Sequence, residues 1–532
     1  MASNEQLYFG GDIYTIDDAN PSAEAIAVKN GRIAAAGDKA YCLSRLGKSP
    51  ELIDLKGSAL LPGFIDAHTH PTLMIFYNMN TDLGGVTSIK DLQDRLKQAS
   101  EKETSSNWIL GLQFDEQSMD KPVLPDRHDL DTACPDRPAI IVKRDGHMVI
   151  ANTRAIEEAG GSDKTGDPKG GKIDREPDGF PMGRFRESAM KIILKAMPLP
   201  ELDTITESAA EVFKKIASFG ITSIGMVIQS DEEGVAGSQG AFDVPMMELV
   251  LDSIPVSLYG ILAAKDISPF DTIRKSNLHH EEIGKGHRIG AFKIWGDGTF
   301  GSRTSFLSRP FTDQPDKSGF MVLPEDEIYR RMEIAHKAGL QIAIHTIGDA
   351  STRICLDLFD RLLAKFPNPD HRHRLEHASL LTPDLINDIA RLNLVVSTQP
   401  MFIHSEKDWL VDILGPERLK WAYPLKSLVD AGVKVACSSD APIESMDILH
   451  AIQCCVTREG FEPQESVTPE KAVRMFTIDA AYSQFEESVK GSLTPGKRAD
   501  MVILSHNPVS VPAKEIKNIR VESTICGGKI IA

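Results

Sequence analysis

The chain has 532 residues, of which 41% are hydrophobic and 25% are charged, a composition typical of a globular protein with more than one domain. Its 59 lysine and arginine residues stand against 76 aspartate and glutamate residues, and the resulting net charge of −17 argues against a nucleic-acid partner. Seven scattered cysteines, no visible signal peptide and no apolar run of roughly 18 residues predict a cytoplasmic protein with no membrane partner.

Short strand-like runs occupy the first sixty residues and return at the carboxyl end. The runs "QLYFGGDIYTI" and "AIAVKNGRIAAAGD" contain the turn dipeptides Gly10-Gly11 and Asn30-Gly31, and the final run "IRVESTICGGKIIA" contains Gly527-Gly528. Neither end is long enough to form a convincing sandwich alone. We therefore expect a small composite β-sandwich built from residues 1–62 and 485–532.

Strands and helices alternate between these two ends. Apolar strand candidates are separated by amphipathic stretches such as "PEDEIYRRMEIAHKAG", and eight of them can be counted: 63–70, 220–228, 254–263, 288–297, 340–349, 373–380, 393–400 and 433–442. Eight parallel strands that are each followed by a helix form a TIM barrel. The sequence thus predicts an α/β protein whose (β/α)8 domain covers residues 63–484.

One gap in this alternation is too long for a single crossover. About 150 residues separate the first and second barrel strands, and they contain their own strand-like runs, "WILGLQFDEQ" and "RPAIIVKRDGHMVIAN". The simplest interpretation is an α/β subdomain inserted at about residues 72–185.

The carboxyl ends of the predicted barrel strands carry polar side chains, and these ends are where a TIM barrel places its active site. A single histidine there means little, but several from different strands are hard to dismiss, since imidazole and carboxylate are the usual ligands of catalytic zinc. In chain order the strand ends supply His68, His70, Lys293, Asp297, His345, His377 and Asp440.

A second His-x-His pair tests this reasoning. His373 precedes His377 by four residues, roughly 13 Å along a strand, so it cannot share a metal with the strand ends. We expect His371 and His373 to lie at the surface or at the start of the strand. Arg374 and Glu376 are offset from His377, and ideal alternation predicts that they face away from it.

Lys293 lies among apolar neighbours in "GAFKIWGD", where a charged ammonium is unfavourable. One interpretation is a lysine that reaches water or an aspartate. The other is an unprotonated amine that reacts with CO2 to form an anionic carbamate able to bridge two metals.

The ordered motifs over essentially the whole chain resemble one family. They are "GFIDAHTHP", "DRPAIIVKRDGHMVIAN", "GRFRES", "FKIWGDGTFGSRT", "IAIHTIGDA", "HRLEHA", "SSDAPI" and "GSLTPGKRADMVIL". This set resembles the family 3 branch of the amidohydrolase superfamily, which contains the N-substituted formamide deformylases. The resemblance implies the composite β-sandwich and barrel, and a metal site of His68, His70, His345, His377 and Asp440 with Lys293 as the carboxylated bridge.

The resemblance also implies a reaction: hydrolysis of a carbon–nitrogen bond in a small molecule. One or two zinc ions, or other divalent metals, would activate a water, with Asp440 as general base and no organic cofactor. Weaker candidates for the substrate pocket are His147, Glu187, Asp297 and Arg303, for which a surface ion pair or a helix cap is an equal alternative.

Two other functions stay open from the sequence. A deaminase of the same superfamily typically carries a His-x-x-Glu pair after strand 5, whereas this chain has "HTIGD" without the glutamate. A non-catalytic relative would keep the barrel as a binding or regulatory scaffold, although all six metal-site positions hold competent residues. A homo-oligomer is compatible with the sequence.

Overall fold

The computed structural model describes residues 5–101, 107–144, 148–168, 171–198, 200–231, 237–284 and 286–532. By their internal contacts the residues divide into two compact units, one formed by Met1–Thr72 with Phe213–Ala532 and the other by Leu73–Val212. No helix in the described ranges is long and apolar enough to cross a bilayer.

The strands are numbered in chain order. They are β1 (Glu5–Tyr14), β2 (Ser22–Lys29), β3 (Arg32–Gly37), β4 (Glu51–Asp54), β5 (Ala59–Pro62), β6 (Phe64–Thr69), β7 (Thr81–Asp82), β8 (Ile109–Phe114), β9 (Ala139–Lys143), β10 (Met148–Ala151), β11 (Gly171–Arg175), β12 (Pro181–Glu187), β13 (Ile221–Gln229), β14 (Ser257–Ala263), β15 (Arg288–Trp295), β16 (Gln341–Thr346), β17 (Arg374–His377), β18 (Val395–Thr398), β19 (Lys434–Cys437), β20 (Met501–Leu504), β21 (Val521–Cys526) and β22 (Lys529–Ile530).

The α-helices are numbered in the same way. They are α1 (Lys39–Ser44), α2 (Pro71–Asn78), α3 (Ile89–Glu101), α4 (Arg127–Ala133), α5 (Thr153–Glu158), α6 (Met190–Leu194), α7 (Leu202–Ser218), α8 (Asp243–Val250), α9 (Ser268–Ile273), α10 (Glu325–Lys337), α11 (Asp349–Lys365), α12 (Pro383–Arg391), α13 (Met401–Glu406), α14 (Leu410–Leu414), α15 (Pro416–Leu419), α16 (Leu425–Asp430), α17 (Ile448–Thr457), α18 (Pro469–Met475) and α19 (Ile478–Ser483).

Both ends of the chain contribute to one eight-stranded sheet. Its strand order is β22-β21-β20-β5-β1-β2-β3, and β4 pairs with β1 off this path. The bulge between Phe9 and Ile13 divides β1, so its first half pairs with β4 and its second half with β5. Antiparallel pairing of β20 with β5 joins the two chain ends, and the residues that β20 contributes to the apolar core include Met501.

The second sheet is the barrel. Eight parallel strands follow the order β19-β18-β17-β16-β15-β14-β13-β6. Backbone bonds from Asp440 N to His68 O (2.9 Å) and from His70 N to Ala441 O (2.8 Å) join the residues after β19 to β6, so the barrel is nearly closed. The helices follow the amphipathic pattern: α10, for example, buries Ile328, Met332 and Ala335 on one face. The predicted fold class is confirmed.

Alternation along the barrel strands fills the interior in layers. A lower layer contains Tyr259, whose hydroxyl donates to Gln341 Oε1 at 3.1 Å. Above it the strands contribute small apolar residues, including Ala291 and Ala343. Two residues further along the same strands lie Lys293 and His345, so the period of two carries polar groups to the carboxyl end of the barrel.

The unit Leu73–Val212 has its own sheet and core. The sheet is mixed, with the order β11-β12-β10-β9-β8-β7. Its two faces are covered by separate apolar clusters, one around Leu92 and Ile141 and the other around Ile140 and Phe185. This unit extends past the predicted insertion at about residues 72–185 and includes the residues of α6. The domain boundaries given above stay predictions.

Candidate metal centre

The carboxyl ends of five barrel strands bring six ionisable side chains into one buried cluster. They come from β6 or the residue after it, β15, β16, β17 and the turn after β19, and none is more than 6% exposed: His68, His70, Lys293, His345, His377 and Asp440. Parallel strands end at one edge, which is why residues up to 372 positions apart in sequence meet here.

Asp440 is the acidic member of this cluster. Its Oδ1 lies 3.1 Å from His70 Nε2 and 3.4 Å from His68 Nε2, and its Oδ2 lies 4.0 Å from His377 Nδ1. The ring centroids of His68 and His377 are 5.3 Å apart, and those of His345 and His377 are 4.4 Å apart. Four imidazoles and a carboxylate therefore surround one small volume.

Hydrogen bonds on the outer side of three imidazoles define their tautomers. His68 Nδ1 lies 2.5 Å from Glu376 Oε2, His377 Nδ1 lies 2.8 Å from Gln399 Oε1, and His345 Nε2 lies 3.2 Å from the Gly298 carbonyl. Each of these acceptors requires a proton on the nitrogen that faces it. The lone pairs are thus on His68 Nε2, His377 Nε2 and His345 Nδ1.

The ionisation of these groups suits ligation. Burial lowers the pKa of His68 to about 3, and it also lowers the pKa of His345 and His377, so the imidazoles are neutral at neutral pH. Burial acts to raise the pKa of Asp440, but the bond to His70 and the nearby His377 and His68 hold it well below its usual range. Metal ligation needs neutral imidazole and ionised carboxylate.

Lys293 is buried in the cluster without a hydrogen-bond partner for Nζ, which lies 4.7 Å from the centroid of the Trp295 ring. Burial lowers its pKa to about 8, against the opposing effect of Glu376 and Asp440. With this pKa roughly a tenth of the amine is unprotonated at pH 7, and the unprotonated amine is the form that can react with CO2.

These residues fit a divalent metal. Besides Lys293 Nζ, the buried atoms without a hydrogen-bond partner include His68 Nε2 and His345 Nδ1, two of the lone pairs identified above. One donor atom each from His68, His70 and Asp440 lies within 4.8 Å of the others. A buried nitrogen whose lone pair has no partner is unfavourable, and one bound cation would pair with several such nitrogens at once.

The expectation that Arg374 and Glu376 face away from the site was wrong. Glu376 is fully buried, bonds His68, and accepts two bonds from Arg374 at 2.7 and 2.9 Å. The reason is backbone geometry: His377 has φ of +69° and Ala378 of +46°, so alternation breaks after Glu376 and consecutive side chains both approach the centre. Gln399 was also missed, because no motif marks it.

Two of the predicted pocket residues are engaged in local structure. The carboxylate of Asp297 accepts bonds from the backbone N–H groups of Ile347, Gly348 and Phe306 at 2.8–2.9 Å, so it fixes the loop after β16. Arg303 donates to Asp313 and to the carbonyls of its own turn, an arrangement that matches the ion-pair alternative.

The other two pocket candidates give no contact information. His147 lies outside the described residues. Glu187 is the last residue of β12, in the unit Leu73–Val212, and its side chain is also outside the description. Their roles as pocket residues stay predictions.

The second His-x-His pair precedes β17, as expected, but it is buried and not at the surface. His371 and His373 are 5% and 1% exposed. His373 lies 2.8 Å from His336 Nδ1 and stacks on Phe359, so helices α10 and α11 cover it. Packing by the outer helices is a tertiary effect that the local sequence does not show.

Comparisons with known proteins show the family of this chain. The family model described as "Amidohydrolase family" matches residues 51–532. YtcJ of Bacillus subtilis is 29% identical over 99% of both chains, and the N-substituted formamide deformylase of Arthrobacter pascens is 25% identical over 98% of this chain and 97% of its own. A metal-dependent hydrolase from Pyrococcus furiosus, described as uncharacterized, has a crystal structure that matches with a TM-score of 0.77 and 28% identity, over 95% of this chain and all of that one.

The barrel, the buried donor cluster and the family match together define the class: a metal-dependent hydrolase. The chain belongs to the amidohydrolase family, and the family match with its relatives supports a hydrolase that acts on carbon–nitrogen bonds. The donor set supports a divalent metal at the barrel end.

Proposed function

We propose that the protein hydrolyses an amide, formamide or similar carbon–nitrogen bond of a small molecule, at the cluster around Asp440. The observation that carries the proposal is the set of three imidazoles whose outer nitrogens bond protein acceptors, while the inner nitrogens of His68 and His345 are buried without a hydrogen-bond partner and His68 Nε2 lies 3.4 Å from Asp440 Oδ1. The N-substituted formamide deformylase among the relatives supports this bond class.

The proposed metal ligands are His68, His70, His345, His377 and Asp440, with Lys293 as the bridge if it is carboxylated. A divalent metal bound there would lower the pKa of a water from about 15.7 toward 7 and polarise the scissile carbonyl.

Asp440 is the proposed general base. Its carboxylate is ionised, is held by His70 at 3.1 Å, and is 5% exposed, so it can take a proton from the attacking water and pass it to the leaving nitrogen. The backbone bond from Asp440 N to His68 O limits its movement between the two steps. Asp440 has a positive φ of 61° in the turn after β19.

We propose zinc as the metal, because imidazole and carboxylate donors suit a borderline ion, and two ions in place of one if Lys293 carries a carbamate. The unpartnered Nζ and the lowered pKa of Lys293 support the carbamate. Wild type loaded with metal in 13C-labelled bicarbonate buffer should show a carbamate carbon resonance that the Lys293→Ala control lacks. If wild type also lacks this resonance, the carbamate is refuted and the single-metal form remains.

The substrate is tested by screening formylated and acylated amines with zinc-loaded protein, following release of the free amine. We expect turnover that a chelator removes and zinc restores. Release of ammonia from an aminated ring, with no hydrolysis of acyl or formyl amines, would replace this proposal with the deaminase. A cytoplasmic location and a homo-oligomer stay predictions.

A further inference from the structure

A second group of metal-ligating side chains lies outside the centre described above. His404 belongs to α13, His450 to α17, and Glu459 to the short 3-10 turn Arg458–Gly460 that continues α17. One donor atom from each of the three lies within 4.8 Å of the other two.

The geometry repeats that of the barrel centre, with two imidazoles on one carboxylate. His404 Nδ1 lies 2.9 Å from Glu459 Oε2, and His450 Nε2 lies 3.0 Å from Glu459 Oε1. In a tetrahedral zinc site with ligand distances of about 2.0–2.2 Å, neighbouring donor atoms are roughly 3.3–3.6 Å apart. An ion between these three groups therefore requires each imidazole nitrogen to move about 0.3–0.7 Å away from the carboxylate oxygen that it now bonds.

The backbone that carries Glu459 is held in place by the Arg458 side chain. Arg458 and Glu459 have φ of +53° and +48°, in the left-handed region. The Arg458 guanidinium is buried and donates to the carbonyls of Tyr423 (2.7 Å), Ala422 (3.2 Å) and Phe461 (3.2 Å), which fixes the turn from the inside. The ligands thus come from three elements, and the turn that carries Glu459 is fixed before an ion binds.

The other face of the cluster is accessible. The His404 side chain is 47% exposed, while those of His450 and Glu459 are 16% and 15% exposed. On the inner side Cys454, one helical turn from His450, places its thiol 3.9 Å from Glu459 Oε1. An ion can enter from solvent and keep a water on its open side.

A cation already contacts the carboxylate: Lys407 Nζ bonds Glu459 Oε2. Without a bound metal, the cluster is an ion pair between Lys407 and Glu459, to which the two histidines add hydrogen bonds. Lys407 is 23% exposed on a flexible stem, so its ammonium can move to solvent when a doubly charged ion replaces it.

We propose that His404, His450 and Glu459 form a second metal site that binds Zn2+ or a similar transition-metal ion. Two imidazoles and one carboxylate are a donor set that zinc accepts with an open fourth position, and Mg2+ and Ca2+ prefer oxygen donors. The ring nitrogens that now bond Glu459, His404 Nδ1 and His450 Nε2, are the ones that would bind the ion through their lone pairs.

The test counts metal in the intact protein. Protein with a zinc-loaded barrel centre is dialysed to equilibrium against micromolar Zn2+, and bound zinc per chain is measured. We expect wild type to bind one ion more than His404→Gln, which changes a half-exposed side chain. The control His506→Gln changes an exposed histidine elsewhere and should bind as much zinc as wild type. Lys407→Gln removes the competing cation and should lower the Kd several-fold.

Equal zinc counts in wild type and His404→Gln would overturn the proposal, as would a Lys407→Gln variant that binds zinc more weakly. The barrel centre serves as the internal reference, because His404→Gln should retain its ions and any hydrolytic activity. If His404→Gln also loses the ions of the barrel centre, the two groups of ligands do not bind metal independently. That result would also overturn the proposal. Failure to find a substrate leaves this test unaffected.

Discussion

Replacement of Glu376 by glutamine separates metal binding from folding. Glu376 accepts a hydrogen bond from His68 Nδ1 at 2.5 Å through Oε2 and one from Arg374 Nε at 2.7 Å through Oε1. Both charged side chains are fully buried, and Arg374 also donates to the Ala67 carbonyl at 3.0 Å. Glutamine keeps the shape and one oxygen, but it loses the charge and turns an N–H2 group toward one of the two donors.

Two magnitudes follow from these contacts. Loss of an outer partner of a metal-binding histidine costs 10- to 100-fold in metal affinity, or about 1.4–2.7 kcal/mol. A buried guanidinium that loses its counter-charge costs about 3–5 kcal/mol of stability, and the remaining amide oxygen places this variant near the lower end. Burial acts to raise the pKa of Glu376, but Arg374 and His68 hold it well below its usual range, so the charge that glutamine removes is present at neutral pH.

The assay measures both quantities on the same proteins. Zinc affinity is obtained by chelator competition, and the free energy of unfolding by urea denaturation of chelator-treated protein. The matched control is Glu465→Gln: Glu465 is buried and accepts from the backbone N–H and hydroxyl of Ser427 at 2.9 and 2.6 Å. The control should lose stability and keep its zinc affinity. Glu376→Gln with wild-type zinc affinity would show that Glu376 acts on folding alone.

Three further outcomes are expected. Asp440→Asn should reduce kcat by at least a hundredfold and keep most of the metal, since amide oxygen still ligates but cannot take a proton; near-normal rates would remove Asp440 as the base. Removal of CO2 and bicarbonate during metal loading should lower the metal bound at the barrel centre from two ions toward one, as should Lys293→Ala. An unchanged metal count contradicts a carbamate bridge. Burial lowers the pKa of His373 well below its value in the unfolded chain, so the unfolded state binds the proton first as the pH falls. The free energy of unfolding should therefore decrease below about pH 6.5, by up to about 1.4 kcal/mol per pH unit. Denaturation of metal-free His373→Gln between pH 7 and 5 should show a smaller loss than wild type, and an equal slope would refute this; His506→Gln should match wild type.

Much of this protein is determined by local patterns. Period-two alternation predicts the barrel strands, and the same alternation carries Lys293 and His345 to the polar end of the interior above Ala291 and Ala343. The order of strand ends then predicts which side chains meet. These inferences work because a strand's faces depend on its own sequence, and because parallel strands all end at one edge.

Other features depend on contacts between distant residues. Glu376 and His68 are 308 positions apart, and they meet because Glu376 is in register with His345 on the neighbouring strand; the positive φ of His377 then lets the next side chain approach the centre as well. The partners of His345 and His377, which decide the nitrogen that carries the lone pair, are likewise supplied by other segments. The barrel and the side chains at its end follow from local patterns. Their tautomers, outer partners and ionisation follow from the folded arrangement, because each of these depends on which groups burial brings within hydrogen-bond distance.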